Sequence, residues 1–200
     1  MPIIQYATIF NWITGKTDPS LNSAVCPEYQ RQPNFDTESY MGTWYEIKKS
    51  ITNEFEQKTS CTTQYWTLED DGSTRTTNRS RGPTGSYGGG TLTGVESKVD
   101  GPGSFVQVVF GEPDPNSKGS YNVVETDYEA YAIFYDCDEE SGSKKESFGI
   151  LSRTPSMSED LTDQLEARMK ALVPSFDYDS NVIDVVQDDD CVYETYPEDN

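Results

Sequence analysis

The chain has 200 residues, enough for one domain with a sizeable core. Hydrophobic residues make up only 34%, and 13 Tyr, 8 Phe and 3 Trp carry much of that material, a composition that leans towards β structure. A formal charge of −20 argues against nucleic acid and anionic membrane surfaces as partners, and suits solubility, a basic partner protein or bound cations.

Residues 3–13 are mildly apolar but carry Gln5, Thr8 and Asn11 with no basic residue ahead of them, a poor match to a secretory leader. Residues 1–33 are expected to form an N-terminal extension. Short strand-like segments follow at 42–47, 62–68, 74–80, 89–99, 105–110, 121–126, 131–137 and 147–153. Turn signals separate them, such as Asp70, Asp71 and Gly72, or Gly111 and Pro113. One helix is expected after Ser158, a suitable N-cap, with Leu161, Leu165, Met169 and Leu172 on one face and Pro174 as its stop. A short strand at 182–186 comes next. The acidic tail, 188–200, is expected to be mobile apart from Cys191. No run is apolar enough to cross a membrane as a helix.

Eight consecutive strands and then a helix predict an all-β fold, an eight-stranded antiparallel up-and-down β-barrel with one C-terminal α-helix packed outside. The barrel with its helix would span 34–187. Closure removes the exposed edges of an open sheet. A barrel of this size has room for its own side chains or for one small ligand.

Catalytic signals are poor. The chain has no His, which excludes Ser–His and Cys–His nucleophile pairs and His metal sites. Gly82–Gly94 lacks the Gly-Lys-Ser/Thr of a phosphate loop and reads as a flexible strand edge near the barrel mouth. Asp188, Asp189 and Asp190 lack the spacing of a calcium loop. Glu46 is the only acid inside a motif and is read as pointing outward. No catalytic residue, metal ligand or required cofactor is assigned. The four cysteines, Cys26, Cys61, Cys137 and Cys191, are dispersed, with no C-x-x-C pair. They allow three pairings, and they favour two disulfides and an oxidising, extracellular location. Asn78, Arg79 and Ser80 form a glycosylation sequon.

Three ordered motifs carry a resemblance. Asn34, Phe35 and Asp36 precede Gly42, Thr43 and Trp44; Thr126, Asp127 and Tyr128 lead to Tyr131 and Ala132; and 150–155 ends in Arg153, Thr154 and Pro155. The chain resembles the lipocalin family, and within it the apolipoprotein D-like branch with its bilin- and carotenoid-binding members. The resemblance implies disulfides Cys26–Cys137 and Cys61–Cys191. It also implies that Trp44 plugs the closed end with Arg153 laid across it, as structural rather than catalytic residues, alongside Asp127 and Tyr128.

The resemblance further implies a ligand among inward-pointing side chains. It places Val106, Val108 and Phe110 inward, with Phe105, Gln107 and Val109 outward. Tyr131, Ile133 and Tyr135 share one face of their strand and are expected to meet the ligand. Trp66 and Asn78 fall at ligand-contact positions of relatives. An inward Asn78 conflicts with its glycosylation, and the inward orientation is preferred. Gly149 stands where some relatives carry a large aromatic, so it is expected to enlarge the cavity. Phe55 is expected at the mouth.

The implied function is to carry a fatty acid, retinoid, carotenoid or bilin. A pigment is preferred because the many Tyr and Trp residues suit a planar conjugated ligand. Two other readings stand beside it. One is a lipid isomerase or de-epoxidase on the same scaffold. The other is a filled barrel acting as a homo-oligomeric or protein-interaction module, motivated by the apolar Phe105 and Val109, the N-terminal extension and the charged tail.

Overall fold

The computed structural model describes residues 25–51, 56–140 and 143–196. Eight strands run in antiparallel order: β1 (Gly42–Ser50), β2 (Ser60–Leu68), β3 (Thr74–Arg81), β4 (Tyr87–Glu96), β5 (Ser104–Val108), β6 (Tyr121–Thr126), β7 (Tyr131–Glu140) and β8 (Ser143–Ser152). Each pairs with the next, and β1 pairs with both β8 and β2, so the sheet closes into a barrel. A one-turn helix, α1 (Thr37–Tyr40), precedes β1, and its N-cap Asp36 accepts from the amides of Glu38 and Ser39.

The main helix, α2 (Glu159–Leu172), begins at Ser158, whose hydroxyl accepts from Leu161 N at 3.3 Å. It buries Leu165 and Met169 against the outside of the barrel. A further turn, α3 (Tyr178–Asn181), leads into β9 (Val182–Asp184), which pairs with the upper end of β1. There β1 and β2 diverge, and the chain after β9 fills the gap. Val185 N donates to Ile47 O, Cys61 N donates to Val186 O, and the Gln187 amide donates to both Glu46 O and Thr62 O. The split wall is thereby resealed, as buried backbone groups require.

Two apolar clusters result. The inner one joins Trp44, Trp66, Phe105, Tyr121, Val123, Phe134 and Leu151 inside the barrel, with Phe35 and Tyr40 beneath. The outer one joins Val124, Ile133, Tyr135, Phe148 and Ile150 to Leu165, Met169 and Phe176. Alternate residues of β7 therefore serve different clusters, Phe134 inside and Ile133 and Tyr135 outside.

Both implied disulfides are present, Cys26–Cys137 and Cys61–Cys191. The first fixes the stretch before the barrel, where Tyr29 meets Tyr135 edge-on at 4.8 Å and Arg31 pairs with Asp100 at 2.9 Å. The second fixes the tail, and here the expectation of mobility is corrected for residues 188–196. Asp188 pairs with Arg81, Glu194 pairs with Arg79, Tyr193 meets Tyr45 edge-on, and Tyr196 stacks on Tyr65 at 3.6 Å. The acidic residues find cations on β3, and the two tyrosines find ring faces on β1 and β2. Strand β5 ends at Val108, two residues earlier than expected, and Phe110 lies beyond it, 92% exposed.

Candidate functional site: the barrel cavity

One end of the barrel is shut by side chains. The Arg153 guanidinium lies 3.6 Å from the centre of the Trp44 ring. It also donates to four backbone carbonyls, those of Ser39, Tyr40, Thr43 and Tyr128. Trp44 Nε1 donates to Tyr40 O at 2.9 Å. The turn that offers the Tyr128 carbonyl is held by Asp127, whose Oδ1 accepts from the amides of Glu129, Ala130 and Tyr131. Tyr128 takes a left-handed backbone conformation there, with φ of 67°.

Above this plug lies a layer of rings. Trp66 sits 5.4 Å from Phe105 and 4.9 Å from Tyr121, and Tyr121 stacks on Phe134 at 4.7 Å. A polar chain threads the layer. The Tyr40 and Tyr121 hydroxyls are 2.8 Å apart, and Gln64 Oε1 accepts from Tyr121 OH and Trp66 Nε1, each at 3.2 Å. Two donors on Oε1 set the amide orientation and leave Nε2 as the atom from which Gln64 donates. Burial raises both phenols well above their ordinary range, so they remain neutral hydrogen-bonding groups.

Over these rings opens a cavity of about 880 Å³. Its walls include Glu46, Lys49, Thr62, Gln64, Asn78 and Phe134, and the β3–β4 hairpin forms its rim. Small-molecule sites span roughly 300–1,000 Å³. A barrel plugged below and hollow above can bind one small hydrophobic molecule.

Local backbone features shape the cavity. Strand β1 carries a bulge: Glu46 pairs with Leu151, yet Lys48 pairs with Ile150. The extra residue reverses the alternation. Glu46 and Lys49 both face inward, while Lys48 faces out to Glu166 of α2 at 2.7 Å. Inside, Lys49 Nζ donates to Thr59 Oγ1 at 2.6 Å and lies 3.9 Å from Glu46 Oε2. On the other wall, Gly88 pairs with Ser80 and Gly90 with Asn78, so these two inward positions of β4 carry no side chain. A Cβ on Gly89 would lie 1.9 Å from Asn78 O, which explains a glycine at that close approach. The glycine-rich segment read as a flexible edge is a wall of the cavity.

The expected ligand contacts fall into three groups. Asn78 lines the cavity, as expected. Trp66 lies beneath the cavity, 1% exposed, in the ring layer. The remaining described positions need correction. In β5 the facing is inverted: Phe105 is fully buried among the inner rings, and Gln107 Nε2 donates to Thr76 Oγ1 on the inner face. Val106 and Val108 therefore point away from the interior, and Phe110 is exposed to solvent. Ile133 and Tyr135 pack in the outer cluster under α2, with Tyr131 against it. Gly149 faces inward, but a Cβ there would lie 2.2 Å from Phe134 Cε1, so the space it leaves is taken by the Phe134 ring. Phe55 lies outside the described residues. Glu46, expected outward, faces the cavity.

Gln64, Lys49 and Phe134 were not anticipated. Counting back two residues from Trp66 along the strand identifies Gln64. Lys49 carries no such signal, because the bulge inverts its face.

Residues 35–187 match the family model of a lipocalin-like domain, and the chain belongs to the lipocalin family. Apolipoprotein D of Rattus norvegicus is 30% identical over 135 residues, covering 68% of this chain and 69% of its own length. The outer membrane lipoprotein Blc of Escherichia coli is 30% identical over 139 residues, covering 67% and 71%. Among solved structures, insecticyanin from the tobacco hornworm Manduca sexta matches with a TM-score of 0.67 at 23% identity, over 86% of this chain and 91% of that one. A lobster apocrustacyanin matches with a TM-score of 0.60 at 19% identity, over 78% and 82%. These last two show the shared fold.

Proposed function

We propose that this lipocalin is a secreted, non-enzymatic carrier that encloses one small lipophilic molecule, with a planar pigment such as a carotenoid or bilin as the favoured cargo. The observation that carries this reading is the hollow of about 880 Å³ above a sealed, ring-lined base. Ring faces at the base, Phe134 and Tyr121 foremost, suit a conjugated body, and burial of apolar area supplies roughly 25 cal/mol per Å² before entropic costs. The solved relatives with this fold include insecticyanin and apocrustacyanins. Two disulfides suit an oxidising compartment.

The non-enzymatic part of the reading rests on residue chemistry. The chain has no His, its four cysteines are all paired, and the acid and the base of the cavity wall lie against each other. The test is to purify the protein from its native source, record its absorption spectrum, and identify by mass spectrometry whatever organic solvent extracts. A stoichiometric lipophile with visible absorption is expected. Protein that is colourless and yields nothing on extraction would overturn the pigment reading.

A further inference from the structure

We infer that the cavity selects a neutral, oxygen-bearing lipophile, with a hydroxyl or carbonyl head, over a lipophile that ends in a carboxylate. The inference rests on the carrier reading and narrows its ligand class, favouring a neutral pigment such as a carotenoid over a bilin, whose propionates are carboxylates.

Among the described residues, the charged side chains lining the cavity are Glu46 and Lys49. Each side chain is only 9% exposed, and their charged atoms lie 3.9 Å apart. The pair is internally balanced. A carboxylate drawn to Lys49 Nζ would be brought beside the Glu46 carboxylate in a poorly solvated space, and two carboxylates sharing such a site oppose each other's ionisation. The net charge of −20 adds long-range repulsion to the approach of any anion.

A neutral head meets none of these costs. Its oxygen can accept from Gln64 Nε2, whose Oε1 is already held by two donors, or from Lys49. A hydroxyl can also donate to Glu46. Asn78 offers both functions from the opposite wall. The cavity is therefore polar without being an anion site, and its apolar surface, the Phe134 ring above the inner ring layer, receives the hydrocarbon body. The bulge in β1 decides which lysine takes this place, because strict alternation would turn Lys48 inward with Glu46 and send Lys49 to the outside.

The test uses three probes with one hydrocarbon skeleton: retinol, retinoic acid and methyl retinoate. Each is titrated into the ligand-stripped protein at pH 7.5 and followed by quenching of tryptophan fluorescence. Retinol and methyl retinoate are expected to bind at least about tenfold tighter than retinoic acid, a difference of one decade in Kd. Glu46→Gln is expected to lower the acid-to-ester ratio of Kd at least threefold. If retinoic acid binds wild-type protein as tightly as its methyl ester, the selectivity is wrong and the carrier reading stands. If none of the three binds, the carrier reading itself fails and the selectivity falls with it. The acid-to-ester ratio in wild-type protein decides the question even if Glu46→Gln does not fold.

Discussion

Arg153 and Trp44 are 109 positions apart in the chain, yet the guanidinium lies 3.6 Å above the indole and ties together four backbone carbonyls from three segments. A planar fork with five donors can do this, and an ammonium cannot. Arg153→Lys is therefore expected to destabilise the barrel by about 1–2 kcal/mol, and Arg153→Ala by about 2–4 kcal/mol, since partly buried carbonyls lose their donors and the indole loses its cation. Urea denaturation followed by tryptophan fluorescence measures both. A loss below 1 kcal/mol for Arg153→Ala would show that the plug does not hold the base together.

A second prediction concerns pH. Asp136 is buried beside Asn122, which donates to its Oδ1 at 3.1 Å, and Asp138 and Asp100 add negative charge nearby. Burial, chiefly, and then Asp138 push its carboxyl up to about 7. The folded-state value lies above the unfolded value, so the protonated form is favoured by folding. This contribution is fully present below about pH 4 and is lost as pH rises through about 7. Asp136→Asn keeps the acceptor for Asn122 and removes the titration. It is expected to be more stable than wild type by on the order of 2–4 kcal/mol at pH 8, with the difference vanishing near pH 3. A pH-independent difference would contradict this.

Gly149 and Phe134 share one space, so Gly149→Ala must displace the Phe134 ring from its stack on Tyr121. The cost is expected at about 1–3 kcal/mol, as for other overpacked cores. Phe134→Leu in the same chain is expected to recover part of that loss, which a double-mutant cycle reads directly. Purely additive losses would show that the two positions do not compete.

The tail is predicted to be structural. Cys61 and Cys191 are 130 positions apart, and in the chain-entropy model their bond contributes about 4–5 kcal/mol. Replacing both by Ser is expected to lower the melting temperature sharply and to expose the backbone after Asp188 to proteolysis. Tyr196→Ala alone is expected to cost about 0.5–1.5 kcal/mol through loss of the stack on Tyr65. An unchanged melting temperature in the double Ser variant would contradict a structural tail.

What was legible in the sequence was local. Gly42 to Trp44, Asp127 with Tyr128, and Arg153 announce themselves because each solves a backbone problem within a few residues. The helix was legible because Ser158 caps it and Leu165 and Met169 repeat at helical spacing. The facing of β5 and β7 was not, because both sides of these strands are apolar. Phe105 packs inside, while Ile133 and Tyr135 cover the ground under α2. Alternation shows which residues share a face, and it is silent on which face is hollow when a helix covers the other. A bulge inverts even that pattern, as at Glu46 and Lys49. The tail's acidic composition resembles that of a solvated segment, and the partners that order it, Tyr45 and Tyr65 for its tyrosines and Arg79 and Arg81 for its acids, lie more than a hundred positions away.

The central claim is that the barrel holds usable space above its ring layer. Thr62 points into that space from β2. Titration of retinol into wild-type protein and Thr62→Trp, with circular dichroism to establish the fold, tests it most directly. One equivalent is expected to bind wild type, and Thr62→Trp is expected to keep its β-sheet spectrum but bind at least about tenfold more weakly, since an indole fills the site. Equal binding by the two would place the ligand elsewhere and contradict the account.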